Sequence, residues 1–436
     1  MSNSIPIDKE MPAALGFGRR KSAIASAVIG TTLEWFDYSV YAAVAGWIAA
    51  TFFPSDNPHT SLLSALAVFG VGFFFRPLGA LFFGHTGDRK GRKLALSGTI
   101  ILMGVCSLVI ACAPGYAGSG LIGPIVLLAA RCGQGFSAGG EFAGGAAFLI
   151  EGAPVNRRGI YGAIHYMAII LGNLIGAAMV AGLIAVLDAE QMSAWGWRVP
   201  FFVGACAAVA GLFLRSRSND TPVMERAILA GEIASNPITE TFQSTWRIVV
   251  RGVGLVCGFT IVTYAYVNMQ SFIPAVTTLS NGTAQWLYAI SLAVQIPLIG
   301  FFGTLSDRIG RKPLLFTGAA LLVLCPIPAF KLIATGSLPL VLLALLMVSI
   351  SIAVYAGPFT AAITELMPRR TRYTALSVSY GFAAALFGGT AGYVVVWLRF
   401  QTGSPIAPAI YASIAAIITL ITVFSTPETI RRNIEH

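Results

Sequence analysis

The chain has 436 residues, of which 56% are hydrophobic and only 11% are charged, and its mean hydropathy is +0.77. A soluble globular domain carries about 25% charged residues, so this composition excludes an ordinary soluble protein and places most side chains against lipid or other protein. The net charge of +10 could indicate nucleic-acid binding, but the positions of the basic residues argue against it.

Apolar runs recur along the whole chain, and twelve of them are long enough to cross about 30 Å of hydrocarbon as a helix of roughly 20 residues. They lie near 24–50, 61–84, 94–113, 121–150, 160–187, 198–215, 249–273, 284–304, 313–333, 338–366, 373–398 and 406–425. The sequence therefore predicts an all-α polytopic membrane protein with twelve transmembrane helices in two six-helix bundles, over 24–215 and 249–425. The predicted remainder is an N-terminal tail (1–23), a linker (216–248) and a C-terminal tail (426–436).

The basic residues are distributed unevenly across these spans. If the N-terminus is cytoplasmic, 23 of the 28 Lys and Arg residues fall in cytoplasmic segments. This positive-inside bias orients membrane proteins. It predicts cytoplasmic N- and C-termini in a bacterial inner membrane, with the lipid bilayer rather than nucleic acid as the partner of the basic excess.

A ten-residue motif occurs twice, at Gly84–Lys93 and Gly303–Lys312, 219 positions apart. Each copy is a charged turn between apolar spans, and repeated halves of this kind are typical of transporters whose two bundles rock around a central site. An acid followed by basic residues also recurs at the end of the fourth and tenth spans. We interpret this set as a gate on the cytoplasmic side: Asp88, Arg89, Arg92, Glu151, Asp307, Arg308, Arg311 and Glu365.

Span 1 carries two acids inside a predicted membrane helix. Glu34, Asp37, Tyr38 and Tyr41 follow the spacing i, i+3, i+4, i+7, so they share one face of the helix. A charge at mid-membrane costs about 2.5–3.5 kcal/mol on insertion scales, which favours a functional role. Asp37 and Glu34 are predicted proton-coupling carboxylates, and the alternative is a structural ion pair with Arg131 or Arg76.

Span 4 carries charges of both signs among many glycines. Arg131, Gln134 and Glu141 lie on one stripe of the helix. Arg131 can offer a planar fork to a carboxylate, either that of Asp37 or that of a substrate. We predict substrate contact for Arg131 and Gln134 and proton coupling for Glu141, the alternative being ion pairs that pack helices together.

Further polar residues inside spans are weaker candidates, since each can equally be a packing residue. Predicted substrate contacts are Arg76, His165, Tyr264, Asn268, Gln295 and Tyr355, together with Tyr38 and Tyr41 of span 1. The chain contains no GxxxxGK[ST] motif and no His/Cys cluster, so we expect no ATP-driven step, no cofactor, no metal and no enzymatic activity.

At these residues the chain resembles the major facilitator superfamily over essentially its full length. The repeated G-x-x-x-D-R-x-G-R-K motif and the Arg131-x-x-Gln134-Gly135 start of span 4 carry the resemblance. Within the superfamily the chain is similar to the metabolite:proton symporter family, through Glu34-Trp-Phe-Asp37, Phe75-Arg76-Pro77 and Trp197-Arg198-Val-Pro200. Members of that family import citrate, other carboxylates, shikimate, or proline and betaine, with protons.

The resemblance implies proton-coupled uptake of a small organic anion, a mono-, di- or tricarboxylate, by a monomer working through alternating access. Arg131 and Arg76 would attract the anion, while Asp37, Glu34 and Glu141 would carry the proton. Three alternatives remain open: uptake of a zwitterionic osmolyte such as betaine or proline, a proton/drug antiporter, and a sensor that signals without transport.

Overall fold

The computed structural model describes residues 17–216 and 236–430, and within these ranges the chain is helical without a strand. Its twelve long helices are α1 (Phe17–Ala43), α2 (Pro58–Lys90), α3 (Arg92–Cys112), α4 (Ile122–Glu151), α5 (Arg158–Val186), α6 (Val199–Ser216), α7 (Trp246–Val267), α8 (Asn281–Ile309), α9 (Arg311–Leu324 and Pro326–Ile333), α10 (Leu338–Leu366), α11 (Arg369–Thr402) and α12 (Ala407–Ser425). The short helices are Ala45–Phe52, Tyr116–Ser119, Ala189–Ala194, Pro237–Ser244 and Met269–Val276.

The lengths of these helices fit a membrane. In the described part of the chain, nine helices are long and apolar enough to cross it, and α9, bent by 41° at its break, is a tenth. The two remaining predicted spans, α1 and α4, are 27 and 30 residues long and carry the buried charges. A span takes roughly 20 residues, so the prediction of twelve transmembrane helices is confirmed.

Besides α9, two helices have internal irregularities. α2 is interrupted at Phe74–Phe75, and its second segment begins at Arg76 with Pro77 in the first turn, where proline fits. α11 contains a π-helical turn at Ala384–Gly388, a local widening that is common at functional sites.

Helices α1–α6 form the first bundle and α7–α12 the second. The two bundles meet mainly where α5 packs on α8 and where α2 packs on α11, with α1 and α4 between them. Because the repeat relates α2 to α8 and α5 to α11, the two contacts are equivalent by the internal pseudo-symmetry. A single interface therefore runs through the middle of the molecule.

The repeated motif is mostly helix rather than a loop. Asp88 to Lys90 complete α2, and a single glycine, Gly91, with φ of 108°, separates them from Arg92 at the start of α3. Gly310 has φ of 103° at the same place in the second copy. Positive φ of this kind is readily adopted only by glycine. In each copy of the motif, the turn that the sequence predicted is therefore a single glycine, Gly91 or Gly310.

We call the end of the molecule at which both turns lie the basic face; it is defined by Arg92, Arg158, Arg311 and Arg372. The predicted linker (216–248) and both predicted tails fall largely outside the described residues. The domain boundaries therefore remain predictions, and the only helix described between α6 and α7 is Pro237–Ser244.

Candidate functional site

The centre of the interface between the bundles is aromatic. Phe142 of α4 stacks on Tyr380 of α11 with ring centroids 3.7 Å apart and an interplanar angle of 4°. Trp35 of α1 stacks on Tyr264 of α7 at 5.3 Å and 27°. Further rings at this level are Tyr38, Phe73 and Tyr166 of the first bundle and Phe259 and Phe359 of the second. The bundles thus enclose a buried aromatic centre.

One ion pair lies within this aromatic centre. Arg76 Nη2 donates to Glu34 Oε1 at 3.2 Å, and both side chains are at most 3% exposed. The guanidinium carbon of Arg76 lies 4.3 Å from the centroid of the Phe73 ring, 4.9 Å from that of Tyr38 and 5.8 Å from that of Tyr264. Aromatic faces attract cations at these distances, so the rings form a cation site that Arg76 occupies.

The Glu34–Arg76 pair has unused hydrogen-bonding capacity. Among the described residues, no hydrogen-bond partner lies beside Glu34 Oε2, Arg76 Nε or Arg76 Nη1. Buried polar atoms without a partner are destabilising and are rare in folded proteins. One acceptor oxygen and two donor nitrogens of this buried pair are therefore available to a ligand.

Asp37 lies in a second cluster, inside the first bundle. Its carboxylate accepts hydrogen bonds from Ser107 Oγ, at 2.8 Å, and from Gln134 Nε2, and Arg131 Nη1 lies 3.8 Å from Asp37 Oδ2. Arg131 is also 4.4 Å from the centroid of the Tyr41 ring. The structure thus brings together four predicted residues, Asp37 and Tyr41 of α1 with Arg131 and Gln134 of α4. Arg131 remains a predicted binding residue, although its contacts here are within the first bundle.

Glu141 lies in a third cluster, with a partner that sequence reasoning missed. Arg215 Nη2 lies 3.4 Å from Glu141 Oε1, and Thr99 Oγ1 donates to Glu141 Oε2 at 2.5 Å. Arg215 also donates from Nη1 to the carbonyl of Leu96 at 2.7 Å. The sequence places Arg215 at the cytoplasmic end of span 6 as one of many topology-determining charges, with no signal that it turns inward.

The other predicted contact residues differ in how well their polar atoms are satisfied. The hydroxyls of Tyr41 and Tyr355 donate to the backbone carbonyls of Ala65 and Leu255 at 2.9 and 2.8 Å. In the described part of the chain, buried atoms without a hydrogen-bond partner occur on His165 (Nδ1), Asn268 (Oδ1) and Gln295 (both amide atoms). His165 lies edge-on to Phe142 at 4.9 Å and therefore borders the aromatic centre.

At the basic face, the first copy of the motif joins the bundles. Asp88 Oδ2 accepts hydrogen bonds from the backbone N–H of Thr374, at 2.9 Å, and from its hydroxyl, at 2.7 Å, in the first turns of α11. Arg92 pairs with Asp88 and lies 3.3 Å from Glu151, which in turn pairs with Arg372 of α11 at 3.1 Å. A carboxylate at a helix N-terminus is a favourable arrangement.

The second copy makes the equivalent contact in the opposite direction. Asp307 accepts from the backbone N–H groups of Gly159, at 2.8 Å, and Ile160, at 3.0 Å, at the start of α5. Arg311 pairs with Asp307 at 2.9 Å and with Glu365 at 3.4 Å. Arg89 and Arg308, predicted with this set, are exposed at the ends of α2 and α8. The basic face is closed by two symmetric carboxylate–helix contacts.

The sequence analysis missed several residues of the aromatic centre and of the basic face, because their residue types are common in membrane helices and in the segments between them. Trp35, Phe73, Phe142 and Tyr380 read as ordinary membrane aromatics, and Arg372 reads as one more cytoplasmic charge. Only the packing of α4 on α11 and of α1 on α7 brings the rings together.

Two helical bundles around a buried, charge-lined centre, closed at one face by a duplicated motif, define a secondary transporter rather than an enzyme. Comparison with known proteins agrees. Residues 23–224 match the family of sugar (and other) transporters, and residues 255–435 match the Major Facilitator Superfamily. The chain belongs to the major facilitator superfamily.

Three proteins of similar sequence are named as transporters of proline or betaine. A putative proline/betaine transporter of Staphylococcus haemolyticus is 33% identical over 92% of this chain and 86% of its own length. The proline/betaine transporter of Salmonella typhimurium is 32% identical over 95% of this chain and 85% of its own. A glycine betaine/proline/ectoine/pipecolic acid transporter of Dickeya dadantii is 31% identical over 97% and 86%.

Solved structures show the same fold. The proton:xylose symporter XylE, bound to a bromo-deoxyglucose, superposes with a TM-score of 0.78 over 96% of this chain and 98% of XylE, at 17% identity. The human organic anion transporter MFSD10 superposes with a TM-score of 0.67 over 95% of this chain and all of that protein, at 16% identity.

Proposed function

We propose that this transporter takes up a zwitterionic osmolyte of the betaine or proline type together with protons, by alternating access, in a bacterial inner membrane. The observation that carries the proposal is the Glu34–Arg76 pair, enclosed by aromatic rings from both bundles and retaining unused donors and an unused acceptor. The basic face would be cytoplasmic, in line with the positive-inside bias.

A zwitterion matches this pair in both of its charges. Arg76 Nε and Nη1 are both without a partner, and either can donate a charge-assisted hydrogen bond to the ligand carboxylate. The ligand ammonium group would then replace the guanidinium against Tyr38, Phe73 and Tyr264, beside Glu34 Oε2. Desolvated cation–π contacts contribute about 2 kcal/mol or more, which suits a quaternary ammonium group that cannot donate hydrogen bonds.

Charge balance supports a zwitterion over the organic anion that the sequence favoured. Arg76, Arg131 and Arg215 are the buried arginines of the three clusters. Their guanidinium nitrogens lie 3.2, 3.8 and 3.4 Å from the carboxylates of Glu34, Asp37 and Glu141, respectively. A di- or tricarboxylate would enter a centre without excess positive charge, whereas a zwitterion adds no net charge. The names of the three relatives point the same way.

A thermal-shift series on the purified protein tests the proposal. Glycine betaine and proline should raise the melting temperature by mass action, whereas citrate and 2-oxoglutarate should not. Tyr264→Leu should weaken glycine betaine binding by roughly 2- to 30-fold, the equivalent of about 0.5–2 kcal/mol of cation–π attraction. Tyr116→Leu, at an exposed tyrosine, is the matched control.

The opposite pattern would overturn the proposal. Stabilisation by a carboxylate series but by neither zwitterion would restore the anion interpretation. Stabilisation by cationic drugs alone, with efflux rather than uptake in cells, would favour the antiporter alternative.

A further inference from the structure

A narrow cavity lies inside the first bundle, between α1, α3, α4 and α6, and is separate from the aromatic centre. All of its lining residues belong to these four helices, and three of them are the carboxylates Glu34, Asp37 and Glu141. The hydroxyls of Thr99, Ser107 and Ser137 also line it. Its volume is about 10 Å³, room for about one water molecule.

The three carboxylates follow one another along α1. Asp37 and Glu34 are one turn apart, and Gly30 is one turn nearer to the basic face. Glu141 projects at the level of Gly30, where a Cβ atom would lie 2.2 Å from Glu141 Oε1. Arg215, the partner of Glu141, is at the end of α6, which reaches the basic face. The cavity therefore contains a series of carboxylates directed towards that face.

Each carboxylate faces one arginine from a different helix. Arg76 of α2 faces Glu34, Arg131 of α4 faces Asp37 and Arg215 of α6 faces Glu141. From the second bundle, Tyr373 of α11 reaches this level and donates to the carbonyl of Gly140 at 2.8 Å. The series is thus neutral when all carboxylates are ionised. A proton on any one of them releases an arginine from its partner.

We propose that protons cross the first bundle through this cavity, from Asp37 by way of Glu34 to the Glu141–Arg215 pair, while the substrate passes between the bundles. This inference rests on the proposed proton-coupled uptake. Glu34 is the residue common to both routes, since its Oε1 pairs with Arg76 at the interface while its side chain lines the cavity.

The coupling follows from the loss of a partner. When Arg76 turns to the substrate carboxylate, Glu34 loses its hydrogen-bonded partner. A quaternary ammonium group beside it cannot donate a hydrogen bond in return, which favours protonation of Glu34. Asp37 supplies the proton and returns to its ion pair with Arg131. The proton next moves to Glu141, with water or a hydroxyl donating one proton as it accepts another. Glu141 then releases it to water at the basic face and pairs again with Arg215.

Reconstituted liposomes with an internal pH dye and radiolabelled glycine betaine test the route. Glu141→Gln should leave glycine betaine counterflow within about twofold of wild type. It should reduce substrate-driven proton entry and gradient-driven accumulation at least tenfold. Asp37→Asn should lose both proton readouts as well. Glu190→Gln, the same change at an exposed residue, is the control.

Arg215 acts through Glu141 and is a positioning residue. Arg215→Gln should reduce proton entry more than counterflow, and Arg215→Lys should restore most of it. Should Glu141→Gln fail to fold, Thr99→Val, which removes one hydrogen bond to Glu141 at constant shape, should slow proton entry while sparing counterflow.

The two proposals fail in different ways. Normal proton entry in Glu141→Gln together with its loss in Asp37→Asn would overturn the route and leave the proposed function intact. Equal losses of counterflow and proton entry in Glu141→Gln and Thr99→Val would also overturn the route. They would show that the cavity residues are needed for the movement of the bundles and not specifically for proton transfer. Absence of any proton entry with glycine betaine in the wild type would refute the proposed coupling itself.

Discussion

Three buried arginines inside the first bundle each lie within 4 Å of a carboxylate from another helix, and this pairing explains how the chain tolerates charges in the membrane. The pairs are Arg76–Glu34, Arg131–Asp37 and Arg215–Glu141. An unpaired charge at these depths would cost about 2.5–3.5 kcal/mol on insertion scales. Arg76 also lies 5.8 Å from the ring centroid of Tyr264 in the second bundle.

Glu428 illustrates a residue whose charge is stabilised outside the membrane. Its carboxylate accepts hydrogen bonds from the backbone N–H groups of Arg311, at 2.9 Å, and Lys312, at 3.0 Å, at the start of α9. Two further N–H donors, those of Thr429 and Ile430, lie at 2.8 and 3.0 Å. Partial burial acts to raise the pKa of Glu428, but the backbone donors outweigh it and hold the pKa below its usual range.

This depressed pKa predicts how stability depends on pH. Because the folded protein holds the proton of Glu428 less tightly than the unfolded chain does, the carboxylate stabilises the fold above the unfolded pKa of about 4.3. That contribution is lost as the pH falls towards the folded value. The melting temperature of the wild type should exceed that of Glu428→Gln at pH 7. The gap should begin to narrow below the unfolded pKa of about 4.3 and should close once the pH is below the folded pKa. A gap that stays constant over this range, or one also seen in Glu190→Gln, would contradict the prediction.

At the scale of elements, α2 and α4 approach unusually closely. A Cβ atom on Gly79 would lie 1.8 Å from the carbonyl oxygen of Phe136, and one on Gly135 would lie 1.7 Å from that of Gly72. Small residues at such crossings let helix backbones come together in membranes. The crossing holds Arg76 of α2 and Arg131 of α4 on their respective carboxylates.

Gly79→Ala should therefore destabilise the protein, by about 1–3 kcal/mol as is typical of overpacked contacts, and lower its melting temperature. Gly182→Ala is the matched control, since a Cβ atom there has open space. That change should be neutral or stabilising by about 0.5–1 kcal/mol, because alanine loses less entropy in a helix. Equal effects of the two substitutions would show that the close approach is not needed.

The whole molecule is held closed at the basic face by two equivalent contacts, Asp88 on α11 and Asp307 on α5. Hydrogen bonds to a charged group contribute about 1.5–3 kcal/mol each. Asp88→Asn should therefore shift the population of the form open at this face about tenfold or more. Combining it with Asp307→Asn should shift the population further.

Spin labels at the exposed positions Lys90 and Arg370, in a background without the native cysteines, measure this opening as a longer distance between α2 and α11. Asp188→Asn, at an exposed residue outside the spans, is the matched control. Distance distributions that are the same in wild type, Asp88→Asn and the double variant would mean that other contacts close this face.

Much of the architecture could be predicted from the sequence, since span length, hydropathy and charge bias are local properties. The twelve helices and the duplicated motif are confirmed, and the Asp37–Arg131 pair is among the alternatives considered. The partner of Glu141 could not be predicted, because Arg215 is 74 positions away and the pair forms only where α4 packs beside α6. The expectation of a carboxylate substrate came from the family resemblance and from assigning Arg131 and Arg76 to the anion, without knowing which acids neutralise these arginines.

The sequence by itself determined that this chain is a twelve-span membrane protein built from two related halves, because each apolar run must satisfy its backbone hydrogen bonds as a helix in lipid. Only the tertiary structure decided which charges meet, which arginine faces the second bundle, and which face is closed. Those contacts join residues far apart in the chain, and glycines at helix crossings such as Gly79 set the distances at which they pair.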